Sequence, residues 1–64
     1  MKSIPRLFAE LTAVIEDMHG IAVEGQAPHL SPDLRNMLLR SLNQSVARIE
    51  LITSAIERRL VQSL

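Results

Sequence analysis

Between Ile4 and Ala22 the apolar residues recur every seven positions, with Ile4, Leu11 and Met18 on one line and Leu7, Val14 and Ile21 on the next. Spacings of three and four return to one side of an α-helix, whereas a half-buried strand needs a period of two. Phe8, Ile15 and Ala22 widen the stripe. Ser3 stands before it as a cap, and Pro5 falls in the first turn, where a missing N–H leaves no hydrogen bond unmade. Gly25 is the expected stop. Gly20 reads as an interior glycine, about 1 kcal/mol worse than alanine, or as the mark of a close helix approach.

After a connector through Pro28, the run Ser31-Pro32-Asp33 supplies a capping hydroxyl, a first-turn proline and a carboxylate that favours the positive end of the helix dipole. Neither Gly nor Pro occurs from Asp33 to Leu64. The second stripe reads Leu34, Leu38, Leu42, Val46, Ile49, Ile52, Ile56 and Leu60, and Arg58-Arg59 suits the C-terminal end of the dipole.

A short connector makes consecutive helices antiparallel neighbours. Folding about positions 28 and 29 pairs residue i with roughly 57 minus i, which brings Asp17 toward Arg40, Glu10 toward Arg48 and Arg6 toward Glu50. The helices differ in length, about 21 residues against about 31. At ~1.5 Å per residue this leaves about 15 Å of the second helix projecting, with Ile56, Leu60, Val61 and Leu64 on the overhang. Two helices alone bury too little apolar surface to offset the chain entropy of so small a domain. A second copy covers the overhang most simply, giving a homodimeric four-helix bundle.

Composition narrows the function. The 64 residues hold seven Lys plus Arg and seven Asp plus Glu, a balance that argues against a dedicated nucleic-acid binder. Hydrophobic residues make up 47%, too many for a disordered tail. The absence of cysteine removes disulfides and thiolate chemistry. With one Phe and no Trp or Tyr there is no aromatic platform for bases or sugars. No apolar run reaches the ~18 residues of a membrane span, and the start of the chain lacks the apolar block of a signal peptide. The expectation is a cytoplasmic protein with no membrane role.

Glu16 and His19 have the Glu-x-x-His spacing of di-iron four-helix bundles, but they fall on the polar side of the first helix, where ligands of a bundle core do not point. His29 lies in the connector. Ser41, Ser45, Thr53 and Ser54 have no positioned histidine, and a two-helix hairpin has little room for a substrate cavity. We therefore expect no enzyme, no cofactor and no metal.

On a helical wheel Met37, Leu51, Ala55 and Val61 gather away from the main stripe, interleaved with Arg40, Arg48 and Arg58. Methionine and arginine are favoured at interfaces. The expected contact surface, for a second copy or another protein, comprises Met37, Arg48, Leu51, Ile52, Ala55, Ile56, Arg58, Leu60 and Val61.

Arg40, Arg48, Arg58 and Arg59 share an arc of about 100° on the second helix. In shape such a hairpin resembles the Rop family of RNA-binding proteins, which implies a dimeric four-helix bundle that binds RNA. It is also similar in shape to the small hairpin co-chaperones of type III secretion, which implies docking on a larger helical chaperone. No sequence motif is shared with either. The sequence thus predicts one all-α domain over 1–64, an antiparallel two-helix hairpin with helices at 4–24 and 32–63 and a turn at 25–31. Its expected role is that of a small non-enzymatic interaction module, an adaptor, antagonist or regulatory subunit.

Overall fold

The computed structural model describes residues 2–63. Two helices, α1 (Ile4–Gly25) and α2 (Pro32–Gln62), pack against each other as a hairpin. Both begin as their sequences direct. The Ser3 hydroxyl accepts from the Arg6 N–H at 3.3 Å, and the Ser31 hydroxyl accepts from the Leu34 N–H at 3.2 Å, each with a proline in the first turn. Each cap satisfies one of the N–H groups that a helix start leaves without an internal partner.

α1 ends at Gly25, the expected stop, but without a left-handed glycine. Gly25 is the last helical residue and no described residue has positive φ, so the glycine is not serving as a left-handed cap. Instead the Gln26 and Ala27 N–H groups reach back to the Val23 and Glu24 carbonyls at 3.1 and 3.2 Å. The Arg35 side chain then donates to the Ala27 carbonyl at 3.1 Å and ties the connector to the first turn of α2.

Leu7, Val14, Ile52 and Ile56 form the buried core, with Leu11, Met18, Ile49 and Ala55 packed against it. On α1 this is the seven-residue pattern read from the sequence. On α2 it departs from the expected stripe. Leu34, Val46 and Leu60 are exposed, while Ser41 and Ser45 are half-buried. Leucines four apart drift about 40° around the helix per step, so the chain 34, 38, 42, 46 leaves the seam that it shares with α1.

The register also differs from the one inferred from charge. A Cβ on Gly25 would lie 4.0 Å from the Leu38 side chain, and Leu7 shares a groove with Ala55, Arg58 and Arg59. Facing positions therefore sum to about 63 instead of 57, which moves the fold point to the start of α2. The pairs Asp17–Arg40, Glu10–Arg48 and Arg6–Glu50 do not form, and among the described residues the ion pair is Lys2–Glu10. Apolar packing set the alignment, as expected when exposed pairs contribute only about 0–1 kcal/mol each.

This register shortens the overhang. The extra length of α2 is used mostly beside the connector, and Ile56 lies in the core at 5% exposure instead of projecting past α1. Leu60 and Val61 remain exposed; Leu64 lies outside the described residues.

Candidate interaction face

The two long sides of the hairpin differ. On one, Asp17, Gly20, Ile21 and Glu24 of α1 and Ser41, Gln44 and Arg48 of α2 line a groove of mixed polarity, and toward the turn Leu30, Leu34, Met37 and Leu38 line a second, largely apolar one beside Glu24. At 100° per residue, Phe8, Ile15 and Ala22 lie about half a turn around α1 from Asp17 and Glu24, and Leu39 and Val46 stand likewise around α2 from Ser41 and Arg48. Because antiparallel helices wind in opposite senses when viewed from one end, those two sets meet on the same side. The second side of the hairpin therefore carries Phe8, Ile15, Leu39 and Val46 together, with Arg35 and Glu57 on the same arc of α2.

Two seven-residue series build it: Phe8, Ile15 and Ala22 on α1, and Leu39, Val46, Thr53 and Leu60 on α2. Phe8 and Ile15 are 50% and 51% exposed, and Leu39, Val46 and Leu60 are exposed as well. Two adjacent helices carrying such series present a broad apolar strip of the kind that a folded monomer rarely leaves in water.

The remaining residues of the expected surface are scattered by the structure. Ile52 and Ile56 lie under α1, where a second chain does not reach them, and Ala55 is half-buried against the core. Leu51, at 72% exposure, stands on the outer side of α2 with Arg40 and Arg58, while Met37 and Arg48 line grooves shared with α1. Val61 lies between the two groups on the outermost arc of α2, and Leu60 joins the Phe8 side. The sequence reading noticed Phe8, Ile15 and Ala22 as a widened stripe but missed their α2 counterpart. The series 39, 46, 53, 60 was the available signal.

Near the termini a surface groove has Leu7 and Ala55 on its floor and Lys2, Arg58, Arg59 and Gln62 on its walls. Lys2 is committed to Glu10, whose carboxyl the hydrogen-bonded ammonium holds below the usual carboxylate range; partial burial opposes this, and Lys2, Arg48 and Arg6 add attraction. Glu16 and His19 are exposed, and no three metal-donating side chains gather among the described residues. Among the described residues no helix is long and apolar enough to cross a membrane. No protein-family model matches the chain, and neither a curated protein nor a solved structure is significantly similar to it.

Proposed function

We propose that this chain is a non-enzymatic interaction module that works by helix-on-helix packing, and that the side carrying Phe8, Ile15, Leu39, Val46 and Leu60 seats a second copy to make a four-helix bundle. The observation that carries the proposal is the area the hairpin leaves in water. Its accessible surface is 5086 Å², against roughly 4,100 Å² for a compact folded protein of 7.2 kDa. The excess, about 1,000 Å², is close to the ~800 Å² per partner that a stable interface covers.

Its shape agrees. The molecule measures 51 × 15 × 15 Å with a radius of gyration of 15.1 Å, where a compact chain of this length has about 11 Å. A second hairpin laid along its side would thicken the rod without lengthening it. Any adaptor or regulatory role would then use the surfaces that pairing leaves outside, the Arg40–Arg58 side of α2 among them.

Matched substitutions test the choice of side. Ile15 and Leu51 are both exposed in the hairpin, so Asp at either position leaves the intramolecular core untouched. By light scattering, Ile15→Asp is expected to lower the mass from twice 7.2 kDa toward 7.2 kDa, because it buries an unpaired charge, while Leu51→Asp keeps the dimer. Dissociation by Leu51→Asp with Ile15→Asp unaffected would place the interface on the outer side of α2 and refute the proposal.

A further inference from the structure

The groove near the termini holds charge that the hairpin itself does not use. Arg59 is half-buried there, and among the described residues neither it nor Arg58 has an acidic partner, because the ion pair at the groove is Lys2–Glu10. Like charges on the walls of one groove repel, and an anion held between them removes that cost. A guanidinium is also the side chain best shaped to grip a carboxylate or phosphate with two parallel hydrogen bonds. The floor beneath is hydrocarbon. Leu7 and Ala55 form it, and the aliphatic stems of the arginines continue it up the wall. In the series Ser41, Arg48, Ala55 and Gln62, spaced by seven, the side chain at position 55 ends at its methyl group and opens the hollow over Leu7. The same series sets the groove on the side of the hairpin opposite Leu39 and Val46, so the pairing proposed above leaves it open.

We infer that this groove binds a medium-chain fatty acid, with its carboxylate held by Arg58 and Arg59 and its alkyl chain laid over Leu7 and Ala55. Size and polarity select this occupant. The hollow measures about 310 Å³, at the small end of the range for ligand sites. Its α2 residues run only from Ala55 to Gln62, about 10 Å of helix, which suits an alkyl chain and is too short to seat a helix. A peptide strand is the poorer fit. Both helices satisfy their own backbone groups, and the walls offer a peptide N–H only the Gln62 amide oxygen as acceptor. A hydrocarbon chain needs no such partner.

Decanoate, kept below its micelle-forming concentration, is the probe, and amide chemical shifts in an NMR titration are the readout. Signals of Leu7, Ala55, Arg58, Arg59 and Gln62 are expected to move together and saturate, while decyltrimethylammonium, with the same chain and the opposite charge, leaves them in place. Replacing both arginines, Arg58→Gln with Arg59→Gln, is expected to weaken decanoate binding about tenfold or more with helicity unchanged. Ala55→Leu, which fills the hollow, is expected to do the same. Shifts confined to Phe8, Ile15, Leu39 and Val46, an equal response to the cation, or undiminished binding by the double arginine variant would overturn the inference. Acetate binding as tightly as decanoate would overturn it too, by showing that the floor contributes nothing. The mass by light scattering is read separately, so an empty groove and a failure to dimerise are told apart.

Discussion

Gly20 shows what a single residue can be asked. It is exposed in the last third of α1, has negative φ, and a Cβ placed on it would meet nothing within 4 Å. The structure thus removes close helix approach as its reason, and leaves only its entropic cost in the unfolded chain. Gly20→Ala is expected to stabilise the protein by about 1 kcal/mol, a rise in Tm of about 4–8 °C by circular dichroism. A fall in Tm would show that the position makes a contact outside the hairpin. Glu10 gives a pH dependence. Its carboxyl titrates below the usual range in the folded state, so its stabilising effect is present above the ordinary glutamate value and fades as pH falls through the folded one. The effect is small because the pair is solvent-screened. Lys2→Met should flatten that part of the acid limb in a circular-dichroism titration; an unchanged limb would contradict the assignment.

At the scale of the elements, capping was the most legible layer of the sequence. Ser3-x-Pro5 and Ser31-Pro32-Asp33 act locally, within a few residues, so their geometry depends little on what the helices later touch. Ser31→Ala is expected to cost about 1 kcal/mol, read as a lowered urea midpoint with unchanged slope, and a neutral result would mean that Leu34 N–H finds another acceptor. The seam was legible on α1 and partly misread on α2. Periodicity says which residues share a face, but the α2 sequence carries overlapping apolar rows, and only packing selects the one through Ser45, Ile49, Ile52 and Ile56 over the one through Val46 and Leu60. The register was misread for a related reason. Three plausible charge pairs suggested one alignment, yet weak solvent-exposed attractions yield to the fit of Leu7 and Val14 against Ile52 and Ile56.

At the scale of the whole molecule, an imbalance between length and core governs the rest. Among the described residues four side chains are buried, none of them below 2% exposure, and the turn-proximal half of the seam holds Ser41 and Ser45 where the terminal half holds isoleucines. The sequence made the need for outside cover visible through its length and its high aliphatic content. It did not show where, because the broad apolar strip exists only once α1 and α2 are set beside each other in the observed register. Folding and association should then be one process, with the hairpin reaching full stability only when Phe8, Ile15, Leu39 and Val46 are covered. The thermal midpoint of the wild-type protein across a wide concentration series tests this most directly. Coupled dimerisation makes Tm rise steadily with concentration by mass action, with the mass of the folded species near twice 7.2 kDa. A Tm independent of concentration, in a protein that stays at 7.2 kDa, would contradict the account.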